Sequence, residues 1–301
     1  MLTPKYLKKG DKVGIISTAR KISAEEVQPA IDVFNQWGLE VVKGNNLHSI
    51  DNQFAGTAAQ RALDLQYMLN DPNIKAIFCA RGGYGTVQII DQIDWAGFIR
   101  NPKWVVGYSD VTVLHSHIQR TCNTESIHAV MPINFVDNAM STEALSSLHN
   151  ALFTGKNTYT IPGHKFNRPG LIQAPIGGGN LSILYSLLGS KSEVKSRNGI
   201  LFIEDLDEYL YHIDRMMMNI ERNEKLRNIK GIIIGGMSDM NDNEVPFGKS
   251  AEEIIHEKLQ RYKYPVCFNF PAGHIYDNRA IILGRNSLLE VKENETVFIQ
   301  R

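Results

Sequence analysis

The sequence predicts an α/β protein in two parts: an N-terminal, mainly parallel sheet flanked by helices, and a C-terminal α/β domain with short strands. Three observations carry this. Short β-rich runs alternate with helical patterns through the first half of the chain, the repeat that builds a parallel sheet covered by helices. A polar stretch containing Gly and Pro, TGKNTYTIPGHKFNRP at 154–169, then breaks the pattern, and 156–169 is read as a linker between domains 1–155 and 170–301. Beyond it come a glycine-rich turn, a helix, a strand, a long helix and another strand, and the tail divides into short β-like runs.

The elements follow in order. Val13 to Ser17 is an apolar strand. Ser23 to Trp37 carries Val27, Ala30, Ile31, Phe34 and Trp37 on one helical stripe, with Ser23 and Glu26 as a capping box and Gly38 as the stop. Leu39 to Val42 is a second strand, and Thr57 to Leu69 a second helix with Thr57 and Gln60 as its box, ended by Asp71-Pro72. Ala76 to Cys79 and Trp104 to Gly107 are strands three and four. Helix resumes over Val111 to Ile118 and again over Thr142 to Phe153. In the second part, Gly199 to Ile203, Ile232 to Ile234 and Val266 to Phe270 read as strands, and Ser250 with Glu253 caps a helix running through Leu259. Ala280 to Leu283, Leu288 to Val291 and Val297 to Ile299 close the chain as short strands.

Composition excludes several classes. With 301 residues, 43% hydrophobic and 21% charged, the chain is long enough for one large or two medium globular domains. Lys+Arg and Asp+Glu are both 32, so no basic excess favours nucleic acid. Cys79, Cys122 and Cys267 are scattered and odd in number, which reads as reduced, buried thiols and not as a disulfide frame or metal knuckle. No stretch approaches the ~20 apolar residues of a membrane span, and the N-terminus turns polar before a signal-like core appears. A cytoplasmic protein is expected, with no membrane partner. No H-E-x-x-H occurs and the nine histidines are dispersed, so neither metal nor cofactor is expected.

One segment carries chemistry. In KWVVGYSDVTVLHSHI an apolar strand ends at Gly107 and a helix starts within two or three residues, placing Ser109 on a sharp strand-to-helix turn. Such a turn lifts a hydroxyl clear of the sheet and aims free N–H groups where an oxyanion would form. The same residues also suit ordinary capping, and the hydrolase pattern G-x-S-x-G is incomplete because Val111 holds its fifth position. A base is needed. His115, His117 and His128 are near in sequence, the first two riding the following helix, while His274 follows a strand in a Pro/Gly loop free to enter a cleft. An orienting carboxylate is available where Gly199 to Ile203 runs into Glu204-Asp205, at a sheet edge where α/β sites collect. His212 has no second histidine at i+4 and reads as packing or surface.

Together these pieces resemble the LD-carboxypeptidase family of serine peptidases, which also contains microcin-processing members. The matching blocks are Ala80-Arg81-Gly82-Gly83-Tyr84-Gly85, Gly107-Tyr108-Ser109-Asp110, Gly178-Gly179-Asn180-Leu181, Leu201-Phe202-Ile203-Glu204-Asp205 with Glu208, Tyr211 and Ile213-Asp214-Arg215, and Gly273-His274 with Leu283-Gly284. The resemblance implies a Ser109–Glu204–His274 triad in a site between the two domains, commonly in a homodimer. It implies release of the terminal D-alanine of a murein tetrapeptide from an L-configured centre during peptidoglycan recycling. Backbone N–H groups of Asp110 and Gly83 would meet the oxyanion. Arg81, Tyr84, Asn180 and Arg215 are candidate substrate contacts, and Arg279 or the helix start after Gly177-Gly178-Gly179 could take a carboxylate. Two blocks depart from the family: His128-Ala129-Val130-Met131 where His-Gly-Pro-Met is usual, and Ala280-Ile281-Ile282 where a proline is usual. Neither touches the triad positions.

Other classes compete. Both glycine runs look like anion cradles of a nucleotide- or phosphate-binding protein, though neither fits G-x-G-x-x-G or G-x-x-x-x-G-K-[ST]. An ordinary α/β-hydrolase esterase shares the Ser-acid-His order but wants glycine at 111. A non-catalytic peptide binder would not need all three triad positions.

Overall fold

The computed structural model describes residues 1–301, apart from the side chains of Asp137 and Asn138. The first half folds around a sheet of β1 (Lys12–Ile16), β2 (Glu40–Lys43), β3 (Ile74–Cys79), β4 (Trp104–Gly107) and β5 (Ser126–His128), all parallel in the order β2-β1-β3-β4-β5. Its inner strands β1, β3 and β4 are largely apolar and buried because both faces are covered, whereas the edge strand β2 is half exposed. On one face lie α1 (Ala24–Gln36) and α5 (Thr142–Phe153), whose Val27, Phe34, Leu148 and Leu152 pack with Val13, Phe78 and Trp104. On the other lie α2 (Ala58–Asn70), the short α3 (Ala96–Arg100) and α4 (Thr112–His117), packing Leu65, Phe98 and Val113 against Ile16, Ile77 and Val105. All three expected capping boxes are formed, Ser23 with Glu26, Thr57 with Gln60 and, in the second half, Ser250 with Glu253.

The second sheet has the order β10-β9-β8-β7-β12-β13-β6. Its parallel half is the end of β7 (Gly170–Asn180), β8 (Ile200–Leu206), β9 (Gly231–Ser238) and β10 (Val266–Cys267). It is covered by α6 (Leu181–Ser186), α7 (Leu210–Arg222) and α8 (Ala251–Leu259). Its antiparallel half joins β7, β12 (Asn286–Val291), β13 (Glu295–Gln300) and β6 (Asn157–Pro162).

Three expectations change. Residues 157–162, inside the supposed linker, form β6. Tyr159 and Ile161 point inward and Thr158, Thr160 and Pro162 outward, an edge strand whose period of two was hidden by a loop-like composition. Gly177-Gly178-Gly179 is not a turn but the end of β7, paired in register with Leu201-Phe202-Ile203. And β11 (Ile281–Leu283), late in the chain and expected among the strands of the second part, pairs antiparallel with β5 of the first sheet.

That crossing fastens the two sheets together. Just beyond it, Arg285 donates to Glu125 at 2.6 and 3.2 Å and to the Gly155 carbonyl at 2.6 Å, with both ionic side chains nearly fully buried. Tyr159 donates to the Ala280 carbonyl at 2.6 Å, and the Gln300 amide pairs with both backbone groups of Ile282. All three cysteines are buried and unpaired.

Candidate active site

The site lies at the carboxyl ends of the parallel strands, where α/β sheets leave a crevice. After β4, Tyr108 is extended and Ser109 turns into the left-handed region at φ 63, a strained setting for a residue with a side chain. A 3-10 turn over Ser109–Val111 leads into α4. His115 braces this elbow from below. It lies 2.8 Å from the Gly107 carbonyl through Nε2, which must therefore carry the proton, and Nδ1 accepts from Ser126 at 2.9 Å. Burial pushes its ring down to about 3, so His115 is a neutral strut and not a base.

The loop after β3 lies against the serine. A Cβ on Gly82 would stand 2.8 Å from Ser109 Cβ and 2.9 Å from Oγ, so only glycine lets the loop pass. Asp110 pins the loop through its side chain: Oδ2 accepts the Thr86 N–H at 2.8 Å. Thr86 is bonded in turn to Thr18, and the buried Arg61 donates to the carbonyls of Thr18 and Gly85. Gly83 is exposed, and its N–H has no partner among the described residues. The Asp110 N–H, at a helix start, is likewise free of the ladder. Both proposed oxyanion donors thus remain available.

The candidate acid and base come from β8 and from the loop after β10. Glu204, in β8, is fully buried, and its Oε2 accepts His274 Nδ1–H at 2.7 Å and the His274 backbone N–H at 3.2 Å. Gly273 makes this possible, with φ +111 and Glu204 Oε2 only 2.7 Å from where its Cβ would be. Burial opposes charge on both partners. Their mutual attraction and hydrogen bond outweigh it, so Glu204 is held below the usual carboxyl range and His274 is raised above its ordinary value. The His274 ring packs at a tilt of 57° against Tyr108, the residue before the serine, at 4.8 Å between centroids. No hydrogen bond yet joins Ser109 Oγ to His274, a link that in substrate-free sites often tightens on binding.

The other acids considered for this role are engaged elsewhere. Asp205 accepts from Asn180, Ser182 and Leu206, and burial with the nearby Glu204 charge pushes its carboxyl up to about 7. Glu208 is 2.6 Å from His212. Among the expected substrate contacts, Asn180 is built into the fold: Oδ1 caps α6 and Nδ2 donates to Asp205. The start of α6 is therefore already filled by a carboxylate and an amide, against the expectation that it would take a ligand's carboxylate. Arg81 pairs with Glu26 at 3.6 Å, Arg279 with Asp277, and Arg215 lies over the Tyr211 ring. Tyr84 is 49% exposed beside Phe54.

Sequence reasoning missed several groups: the Asp110 side chain and Arg61, which fix the glycine loop, and Arg20, which carried no motif. The aliphatic part of Arg20 lies directly over Gly83, and the residue is exposed with no ion pair among the described residues. No cluster of three or more His, Cys, Asp or Glu among the described residues could hold a metal. Among the described residues no helix is long and apolar enough to cross a membrane.

A serine on a strained elbow, next in the chain to a tyrosine that lies against a carboxylate–imidazole pair from the other sheet, is an arrangement suited to a serine-type hydrolase. The chain belongs to the LD-carboxypeptidase family: the family's N-terminal domain matches residues 13–129 and its C-terminal domain residues 173–289. It is 30% identical to a probable murein peptide carboxypeptidase of Bacillus subtilis, covering 98% of this chain and 93% of that one. It is 27% identical to a murein tetrapeptide carboxypeptidase of Pseudomonas aeruginosa, covering 93% of each. The fold is shared with the microcin C7 self-immunity protein MccF, solved with aspartyl sulfamoyl adenosine, at a TM-score of 0.89, 21% identity and coverage of 100% and 99%. The protein is a serine peptidase of this family.

Proposed function

We propose that the protein removes the C-terminal D-alanine from murein tetrapeptide with Ser109 as nucleophile, His274 as base and Glu204 as the orienting acid. We take it to act as a cytoplasmic homodimer in peptidoglycan recycling. The observation that carries the chemistry is the 2.7 Å bond from His274 Nδ1 to the buried Glu204 carboxylate, beside the Ser109 elbow. Because Nδ1 donates to Glu204, Nε2 is left unprotonated and able to take the serine proton.

Ser109 Oγ attacks the carbonyl before the terminal D-residue as its proton passes to His274. The imidazolium formed is stabilised by Glu204, and the Gly83 and Asp110 N–H groups receive the oxyanion. His274 returns the proton to the leaving amine of D-alanine, leaving an acyl-enzyme on Ser109. Water then attacks, with His274 again as base, and frees the tripeptide. One such backbone donor lowers the barrier by about 3 kcal/mol. For the substrate's free carboxylate, the unpaired Arg20 over Gly83 is better placed than Arg81 or Arg279, whose charges are already matched.

The test is mass spectrometry of murein tetra- and pentapeptides incubated with wild type and Ser109→Ala. Loss of D-alanine from the tetrapeptide alone, abolished in a folded Ser109→Ala, is expected. Undiminished release by the variant would rule the mechanism out. Turnover only of an aminoacyl sulfamoyl adenosine would move the protein to a microcin-type amide substrate.

A further inference from the structure

Ser109 follows β4 of the first sheet, whereas Glu204 lies in β8 of the second. Chemistry between groups on separate frames needs their spacing held. A buried chain of hydrogen bonds runs from one frame to the other. Asn180, the last residue of β7, is the register partner of Glu204 in β8. Its backbone N–H donates at 3.1 Å to Thr112 Oγ1, at the start of α4 and three residues after Ser109. Its side-chain Nδ2 donates at 2.8 Å to Oδ1 of Asp205, the residue after Glu204. Thr112, Asn180 and Asp205 are all buried.

Each link is fixed by its surroundings. A Cβ on Gly179 would stand 2.5 Å from Thr112 Oγ1, and its φ of +143 favours glycine, so β7 meets α4 here through bare backbone. The Asn180 amide is held at both ends, because Oδ1 accepts the Ile183 N–H at 3.1 Å and caps α6. Asp205 is surrounded by donors: Oδ1 also accepts the Leu206 N–H at 2.9 Å, and Oδ2 accepts the Ser182 N–H at 2.9 Å. All of these contacts suit an ionised carboxylate, since a proton on either oxygen would face another N–H. Burial and the Glu204 charge push this carboxyl up, and the donors offset part of that.

We propose that Thr112, Asn180 and Asp205 form a strut that sets the separation of Ser109 from the Glu204–His274 pair, making all three positioning residues and not substrate contacts. Breaking a link lets α4, and the elbow before it, shift against β8. The size of the shift follows from Thr112. A methyl group in place of its hydroxyl would rest about 3.5–4.0 Å from its neighbour, against the present 3.1 Å to the Asn180 nitrogen. The opening is therefore about half an ångström. The proposal rests on Ser109, Glu204 and His274 being nucleophile, acid and base.

Two measurements on the whole protein test it. Crystal structures of wild type and Thr112→Val need no turnover and so stand apart from the peptidase reading. The Ser109–His274 separation should change by about 0.5 Å, the tolerance within which a catalytic constellation must be held. An elbow unmoved relative to Glu204 would overturn the strut. The second measurement is steady-state D-alanine release. Thr112→Val should lower kcat about tenfold with KM within about twofold of wild type. Thr112→Ser, which keeps the acceptor, should recover most of that loss. Asp205→Asn, which sets an amide proton against one of the donors, should cost a similar factor, and the double variant should be no slower than the poorer single one. Losses that multiply in the double variant, a change confined to KM, or a Thr112→Ser as slow as Thr112→Val would each refute the strut. Should Thr112→Val not fold, the structure and kcat of Asp205→Asn decide by the same criteria. If wild type releases no D-alanine, the substrate reading fails and the structural comparison decides the strut alone.

Discussion

Gly82→Ala isolates the contact between the glycine loop and Ser109, the proposed nucleophile. Gly82 is not in the left-handed region, so alanine brings no backbone strain. Its methyl group would lie 2.8 Å from Ser109 Cβ and 2.9 Å from Oγ, and 3.5 Å from Met131 Cε on another side. Carbon atoms rest at about 3.5–4.0 Å, so the shortfall is about 1 Å. The methyl has little room to retreat, because Met131 is already at ordinary contact, and Ser109 or the loop must give by that amount. A displacement of that size at a reacting atom costs on the order of 10²-fold in rate, or about 2.7 kcal/mol of barrier. The assay is steady-state D-alanine release, with thermal unfolding run beside it to separate misplacement from loss of fold. A kcat about 10²-fold down in a folded protein is expected. A folded variant with kcat within about threefold of wild type would show that the serine's position does not depend on this contact, and the derivation would fail.

Glu204→Gln keeps shape but removes the charge that holds imidazolium; by analogy with other serine triads kcat should drop by about 10⁴-fold, and an unchanged kcat would exclude Glu204 as the orienting acid. Because Glu204 raises His274 above its ordinary value, kcat/KM of wild type should fall as pH is lowered through that raised value, and the limb should move to lower pH in Glu204→Gln, measured on the residual activity. Stability runs the other way: the His274 contribution is complete below about 6.5, the unfolded value, and is lost as pH rises through the folded one, which denaturant titrations across pH would read. Glu125→Gln would leave the Arg285 guanidinium buried without its countercharge and should destabilise the fold by about 3–5 kcal/mol, seen as a lowered denaturation midpoint with the pH dependence of turnover unchanged.

The sequence by itself determined the local pieces. The Ser23 and Thr57 capping boxes, the span Thr142 to Phe153 and the strand-to-helix turn at Ser109 are written in near-neighbour chemistry, and each formed as read. The candidate site residues Ser109, Glu204 and His274 were nameable through their motif blocks. Tertiary structure decided what depended on partners far along the chain. Polar, Pro-ended 157–162 became an edge strand because β13 supplied its hydrogen bonds, and the glycine run at 177–179 became strand because β8 lay beside it. Asn180, Asp205 and Glu208 look equally free as letters, yet α6, Ser182 and His212 had already engaged them. Above all, the crossing of β11 into the first sheet accompanies the docking of the His274 loop on Tyr108, the residue before Ser109. Local patterns record what a residue can form with its neighbours, but which buried donors and acceptors meet is fixed only when the chain closes on itself.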